Sequence, residues 1–519
     1  MTGTPALLLR TTAELHAWCA AKRLCGTPVH FVPTMGALHQ GHQQLIRRAG
    51  EPRGAGPPAV LVSVYVNPLQ FGAGEDLERY PRQLEQDRVL AAAAGAAALW
   101  APTTDAIYPD GPAEVTRLLP PASLMAGLCG ASRPGHFEGV ATVVARLLAL
   151  VRPQRLILGE KDWQQLVVLR RVVADLGLPP TIEGCGTVRQ GDGLALSSRN
   201  SYLNAAQLQQ AGALPRALQA AQAEARDDGD ASALIALVRR QLEAAGLPID
   251  YVAVVAPHTL RPLPRLGPLA LLAAAVHCGP ARLIDHTFLM TRAPIVAIDG
   301  PAGAGKSTVT KAFAQHLGLI VLDTGAMYRA VTWWVQQQRV DPSDAAAVAP
   351  LLVGLDLRLG TDQRVQINGH DVTAAIRSPE VTAQVSTVAA HGCVREALTA
   401  QQQAMGQRGG LVAEGRDIGT AVFPDAELKV FLTATVAERA RRRAQDLTQR
   451  GFAVPELAEL EAQIAERDHL DSTRAVAPLQ QADDAIELIT DGMAIETVIQ
   501  TLVDLFRSRV PEDAWPLQG

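Results

Sequence analysis

Twice along this 519-residue chain an apolar, strand-like run ends in a glycine-containing turn that opens a helix, and each turn has the residues to hold phosphate. Pro33-Thr34-Met35-Gly36-Ala37-Leu38-His39-Gln40-Gly41-His42 is the first; Gly300-Pro301-Ala302-Gly303-Ala304-Gly305-Lys306-Ser307 is the second. A strand feeding a helix through a tight turn is a half-unit of a parallel sheet covered by helices, so two α/β domains are expected. The first turn suits nucleotidylyl transfer and the second phosphoryl transfer, which predicts two ATP-dependent reactions on one polypeptide.

Length alone calls for two to four domains, and 48% apolar against 19% charged residues describes a globular protein with sizeable cores. A net charge of -5 argues against a general nucleic-acid or anionic-membrane binder, so neither is expected as a partner. Cys19, Cys25, Cys129, Cys185, Cys278 and Cys393 lack metal-ligand spacing and read as buried free thiols. The beginning of the sequence has no charged region followed by a long apolar core, and the apolar stretch 269–276 is too short to span a bilayer. A cytoplasmic protein is the expectation.

Strands are predicted over 29–32, 60–66, 155–158 and 251–255, with 269–276 as a buried strand, and helices over 142–151 and 162–176. The Ala-rich run 91–98 reads as helix. In the second half, strands are predicted over 295–299, 319–323, 411–414, 428–432 and 485–489. Gly279-Pro280 closes the last strand region of the first half, which places the domains at 1–285 and 286–519.

In the first domain His39 and His42 stand three apart, on one face of the opening helical turn. Backbone N–H groups and the helix dipole favour phosphate there, and two imidazoles can stabilise charge building on an α-phosphate. Gly41 leaves room for a nucleotide ring. Two histidines this close are more often surface or helix-capping residues, and the motif gains weight from its company. Asn67-Pro68-Leu69-Gln70, Gly159-Glu160-Lys161-Asp162-Trp163-Gln164-Gln165 and Leu196-Ser197-Ser198-Arg199-Asn200 also follow strand ends or close a Gly-rich loop. Open parallel sheets place ligands at such ends. Lys161 and Arg199 are cations suited to polyphosphate; Asn67, Gln70 and Gln165 suit a small polar substrate.

The segments PTMGALHQGH, NPLQF, GASRPGHF, GEKDWQQL and LALSSRN resemble those of pantothenate synthetases, the pantoate–β-alanine ligases, in order over about residues 5–285. The resemblance implies a Rossmann-like nucleotidylyltransferase (HxGH) domain with a small C-terminal subdomain. Pantoate and ATP would form a pantoyl-adenylate, which β-alanine converts to pantothenate and AMP. Position by position it puts Met35, Gly36, Ala37, Leu38, His39, Gln40, Gly41, His42, Gly159, Glu160, Lys161, Asp162, Val188, Leu196, Ser197, Ser198 and Arg199 at ATP. His42, His39, Lys161 and Arg199 would be catalytic, with His42 as proton donor, while Gln70, Gln165 and Asn67 hold pantoate or β-alanine. Arg133 and His136 would shape the pocket. A homodimer through this domain is also implied.

In the second domain Gly300 to Ser307 fits GxxxxGK[ST], between a strand and a helix predicted over 307–317, as the P-loop mechanism requires. Gly300, Gly303, Gly305, Lys306, Ser307 and Thr308 would hold ATP, with Lys306 catalytic and Ser307 a ligand of ATP-borne Mg²⁺. No organic cofactor is expected. Arginines abound after the P-loop, as a phosphoryl-transfer enzyme without an activating partner requires. Asp323-Thr324-Gly325-Ala326-Met327-Tyr328-Arg329, Glu414-Gly415-Arg416-Asp417, Arg467-Asp468 and Asp471-Ser472-Thr473-Arg474 resemble bacterial cytidylate kinases, over about residues 293–508. The resemblance implies a P-loop nucleoside monophosphate kinase phosphorylating CMP or dCMP. Thr324, Arg329, Ser386, Arg395, Arg416, Asp417 and Asp471 would bind CMP, and Arg467 and Arg474 would gather charge near the transferred phosphate. The insert 355–395 would include a hairpin at Asn368-Gly369, and Arg439, Arg441, Arg442 and Arg443 would lie in a mobile lid. Together the halves resemble a bifunctional fusion of the two families. The alternative is another HxGH adenylyltransferase fused to a different small-substrate P-loop kinase.

Overall fold

The runs Val29–Thr34, Ala59–Val64 and Arg155–Gly159 are apolar along almost their whole length because helices cover both faces of the sheet they build. We describe a computed structural model of the chain, in which residues 6–52, 56–360, 364–449, 451 and 453–516 are described. By backbone contacts it divides into two units, Met1–Thr291 with Val510–Pro516, and Arg292–Arg509.

In the first unit six parallel strands lie in the order Leu7–Leu9, Ala98–Trp100, Ala59–Val64, Val29–Thr34, Arg155–Gly159, Thr181–Cys185. The chain winds outward from Val29–Thr34 in one direction, then crosses to Arg155–Gly159 on the other side. The gap at the C-terminal ends of these two strands is the switch point where open sheets take ligands. Phe31, Leu61, Trp100 and Leu156 are fully buried between the sheet and helices such as His136–Val151. Each such side chain stabilises the fold by about 1.5–3 kcal/mol.

A smaller layer follows, the antiparallel strands Ile249–Val255, Leu269–Cys278 and Ala281–Met290, packed on helices Ala205–Ala211, Ala213–Glu224 and Ala231–Ala244. Gly279-Pro280 is the two-residue turn of a hairpin, so the division expected at 285/286 falls inside the strand Ala281–Met290. The run 91–98 is not one helix either. The helix Leu84–Ala93 stops, Gly95 turns at φ +103°, and Ala98 begins a buried strand. Alanine fits both a helix and a crowded strand, and its propensity there yields to packing. Four cysteines are buried, but Cys25 is exposed and Cys393 half-buried.

The second unit has five parallel strands in the order Ile320–Asp323, Leu411–Gly415, Ile295–Asp299, Leu428–Thr433, Ile486–Ile489. The P-loop follows the central strand. Its insert carries the short antiparallel strands Leu357–Leu359, Val365–Ile367 and His370–Asp371, and the turn at Asn368-Gly369 has positive φ at both residues, as expected for a tight hairpin. Among the described residues no helix is long and apolar enough to cross a membrane.

Candidate functional sites

Beyond the strand Val29–Thr34 the chain turns through Met35 to Leu38, and His39 is the N-cap of the helix Gln40–Ala49. The plain expectation for two neighbouring histidines, helix capping, therefore holds, and it prepares the functional one. Gly41 N–H donates to His39 Nδ1 at 3.1 Å, and His39 N–H donates to His42 Nδ1 at 3.3 Å. An Nδ1 that accepts leaves the ring proton on Nε2, so each imidazole keeps an N–H donor on its free edge. Both rings line a cavity of about 250 Å³ at the switch point. Burial, reinforced by the charge of Lys161, lowers the His39 pKa to about 4; burial and the neighbouring His39 lower that of His42 to about 3. Both rings are thus neutral donors near pH 7. Gly41 serves this arrangement directly, because a Cβ there would lie 2.9 Å from His39 Cε1.

The same cavity gathers Met35, Asn67, Gln70, Gly159, Lys161, Asp162, Gln165, Val188 and Leu196 to Arg199. Gly36, Ala37, Leu38, Gln40 and Glu160 are not on its wall. Ala37 and Leu38 are buried in the turn, and their N–H groups donate to the Asp87 carboxylate at 3.0 and 2.8 Å. Asn67 is buried and spends its groups within the protein: Tyr108 O–H donates to its Oδ1 at 2.9 Å, and its Nδ2 donates to Gln70 Oε1 at 3.3 Å. Its geometry is that of a holder for Gln70, whose Nε2 points at Met35 Sδ, 3.1 Å away. Arg199 donates from Nε and Nη2 to the two oxygens of Asp76, 2.9 Å each.

A second cavity of about 450 Å³ shares Lys161, Asp162, Gln165, Ser197 and Arg199 with the first. Arg133 and His136 line it, joined to each other at 3.0 Å, with Arg133 paired to Glu75. Burial, with the Arg133 charge, lowers the His136 pKa to about 4. Asp87, Asp76 and Glu75 were not anticipated. Each acts on a motif from far along the chain, and no local pattern marks it.

In the second unit the P-loop wraps the start of the helix Lys306–Leu317. Gly300 has φ +149°, and a Cβ on it would lie 2.0 Å from Leu432 O, so no other residue fits. Lys306 is buried, and its Nζ donates to Gly300 O and Pro301 O at 2.6 and 2.8 Å. Burial and the Arg416 charge push its ammonium well below the ordinary lysine range. Ser307 Oγ donates to Glu414 Oε1 at 2.7 Å; burial and then Asp323 raise the Glu414 pKa. Gly303 and Gly305 turn with positive φ, and Thr308 lies in the helix.

Around this loop the anticipated arginines form a connected set. Arg395 is buried and paired with Asp417, and Arg474 lies 3.6 Å from the same carboxylate. Arg416 donates to Asp471 at 2.9 Å, and Thr324 Oγ1 donates to Glu414 O. Arg329 lies 3.7 Å from Asp323. Burial, then the like charge of a neighbouring arginine, lowers the pKa of both Arg467 and Arg474. Five arginines, Arg329, Arg395, Arg416, Arg467 and Arg474, meet three aspartates, Asp323, Asp417 and Asp471, an excess of cationic charge that suits an anion. Ser386 sits half-buried on the helix Pro379–Ala390 and makes no hydrogen bond to this set among the described residues.

Of the arginines expected in a mobile lid, Arg439 is buried, donates to Ala302 O at 3.1 Å and forks onto Asp468 at 3.0 and 2.6 Å. Arg442 donates to Ala304 O at 3.3 Å, whereas Arg441 and Arg443 pair along their own helix with exposed side chains. The helix Val436–Gln449 is therefore anchored to the P-loop at two points.

The Pantoate-beta-alanine ligase family matches residues 7–288, and the Cytidylate kinase family matches residues 296–508. The chain is 66% identical over 513 residues to a bifunctional pantoate ligase/cytidylate kinase of Parasynechococcus marenigrum, covering 98% of this chain and 99% of that one. It is 64% identical over 509 residues to the protein of the same description from Prochlorococcus marinus, covering 97% and 100%. A crystal structure of pantothenate synthetase from Thermus thermophilus aligns at 45% identity and a TM-score of 0.49, over 54% of this chain and 98% of that one. With the two family matches dividing the chain as its two phosphate-binding turns do, and full-length relatives at this identity, the protein belongs to the bifunctional pantoate ligase/cytidylate kinase family, with a pantoate–β-alanine ligase activity and a cytidylate kinase activity.

Proposed function

We propose that the ligase reaction runs in the cavity at the first switch point, through an acyl-adenylate. The observation that carries this is the capping pair: His39 and His42 both use Nδ1 for the backbone, which frees two Nε2–H donors beside Lys161 and Arg199. A pantoate carboxylate oxygen attacks the α-phosphorus of ATP, the bond to the bridging oxygen breaks, and pyrophosphate leaves with that oxygen. The imidazoles stabilise the charge on the α-phosphate as neutral hydrogen-bond donors, a role their low pKa values favour over that of proton donor. Lys161 and Arg199 spread the charge of the leaving pyrophosphate. Gln70 and Gln165 hold pantoate. The β-alanine amine then attacks the acyl carbon, AMP departs, and the amine proton goes to solvent. The cavity walls keep water from the mixed anhydride meanwhile.

In the kinase, a phosphate oxygen of CMP or dCMP attacks the γ-phosphorus of ATP and ADP leaves. Lys306 reaches the transferred group, and Arg416, Arg467 and Arg474 neutralise it. Ser307 and Glu414 offer adjacent hard oxygen donors, a set that fits Mg²⁺ carried in on ATP. The ion would draw charge from the phosphate oxygens. A homodimer through the ligase unit is the assembly that the family resemblance supports.

A two-product assay on the full chain with Mg-ATP tests the whole reading. One reaction holds pantoate and β-alanine and is scored for pantothenate and AMP; the other holds CMP, dCMP or UMP and is scored for ADP. The expected result is product in both, with UMP the poorest acceptor. Ligase turnover that releases ADP instead of AMP would remove the acyl-adenylate.

A further inference from the structure

After the last helix of the second unit, Ile495–Arg509, the chain rejoins the first unit through Val510–Pro516. This segment lies outside both family matches, which end at 288 and 508. It is nonetheless bound by side chains and backbone of the ligase. The N–H groups of Glu512 and Asp513 donate to the two oxygens of Glu160, at 2.9 and 2.8 Å. In return Gly186 N–H donates to Glu512 Oε2 at 3.2 Å, and Thr187 donates to Asp513 from its N–H at 2.8 Å and its Oγ1 at 2.5 Å. Arg48, on the helix that His39 caps, donates to Glu512 Oε1 at 2.7 Å.

These partners are not scattered. Glu160 immediately precedes Lys161, and Gly186 and Thr187 immediately precede Val188; Lys161 and Val188 line the cavity of His39 and His42. The two stretches leave the C-terminal ends of the neighbouring strands Arg155–Gly159 and Thr181–Cys185. Val188 O in turn accepts from Leu196 N–H at 2.9 Å, at the start of the loop that carries Ser197 to Arg199. A loop after a strand end has few backbone partners of its own, and here two of its N–H groups are satisfied by carboxylates from over three hundred residues away.

We propose that Glu512 and Asp513 are positioning residues of the ligase: through Glu160 they fix Lys161, and through Gly186 and Thr187 they fix the 186–188 wall of its ATP pocket. The segment touches no proposed reacting atom. It acts through the backbone that aims Lys161 and through the wall that Val188 forms against the nucleotide. The idea rests on the assignment of this cavity as the ligase nucleotide site.

The test uses the full chain, a chain ended after Val510, and the double variant Glu512→Ala/Asp513→Ala. Steady-state kinetics of both reactions are read in each. The expected result is a KM for ATP in the ligase reaction raised about tenfold or more, with a smaller fall in ligase kcat through Lys161, the thermal transition of the first unit retained and CMP kinase parameters unaffected. Unchanged ligase constants in the folded variants would overturn the proposal. So would parallel loss of ligase kcat and of the thermal transition of the first unit, which would make the segment a structural staple. A double-mutant cycle between Thr187→Val and Asp513→Asn adds a test in mildly altered proteins: non-additive effects on KM for ATP support the contact, and additive ones refute it. His42→Ala is run alongside. Full ligase activity in that variant would sink the site assignment by itself, and the effect of the segment on KM would be read separately.

Discussion

His39 hands its backbone N–H to His42 Nδ1 across 3.3 Å, so the residue that caps the helix and the residue that completes the cap are the two proposed to act on the α-phosphate. Capping and catalysis are separable by substitution. Asparagine is a good N-cap and can accept the Gly41 N–H, but it has no Nε2 donor. His39→Asn is expected to keep the unfolding temperature of the first unit while lowering ligase kcat by about 10²–10³-fold. His39→Ala adds a stability loss of about 1 kcal/mol. His42→Ala should abolish pantoyl-adenylate formation, and CMP phosphorylation should survive in all three. Retained adenylate formation in His39→Asn would return that ring to a capping role alone.

The same histidines give the first unit a defined response to acid. In an unfolded chain each ring takes its proton near pH 6.5, but in the fold His39 does so only near 4 and His42 near 3. Between those limits the unfolded chain binds more protons, so their contribution to stability is complete above pH 6.5 and is lost as pH falls toward 4 and 3. The urea midpoint of the first unit should drop over that interval, and less steeply in His42→Ala. A variant curve parallel to the wild type would contradict the assignment.

Lys306 holds two carbonyls of its own loop, Gly300 O and Pro301 O, and a phosphate would take over these bonds. Lys306→Ala is expected to cut CMP phosphorylation by about a thousandfold or more. Ligase turnover should be unchanged, because Lys306 belongs to the other unit. ADP release from ATP and CMP at the wild-type rate would argue against the P-loop role.

Arg395 is only 3% exposed, and Asp417 is its carboxylate partner. Asp417→Ala leaves that cation buried without an anion, which costs about 3–5 kcal/mol. The melting transition of the second unit should fall accordingly, and Asp417→Asn, which keeps an acceptor, should fall less. Equal loss in both variants would mean that charge pairing is not what stabilises the site.

What could be read from residues alone divides along a physical line. Turns that bind phosphate are local: the spacing of His39 and His42, or of Gly300, Gly305 and Lys306, is set by one strand end and one helical turn. The strands carrying them are continuous apolar runs, and they stood out for the same reason. Short strands such as Leu7–Leu9 and Ala98–Trp100 did not, because three residues carry no periodicity and their place is decided by neighbours in the sheet. The acidic residues that hold the motifs were equally hidden. Asp87 grips Ala37 and Leu38, and Asp76 grips Arg199, across 49 to 123 positions of sequence. An aspartate in a surface-like stretch looks the same whether it meets solvent or a distant turn. Glu160 misled in the opposite sense, since it sits in a motif yet turns away from the cavity toward Glu512 and Asp513.

The segment Val510–Pro516 also bears on how the protein is made. Synthesis proceeds from the N-terminus, so a nascent chain holding every residue through Thr291 still lacks part of the first unit. That unit becomes whole only once residue 516 has left the ribosome, after the kinase sequence has been translated. A chain cut short anywhere within the kinase sequence therefore lacks the Glu512 and Asp513 contacts of the first unit as well as part of the second.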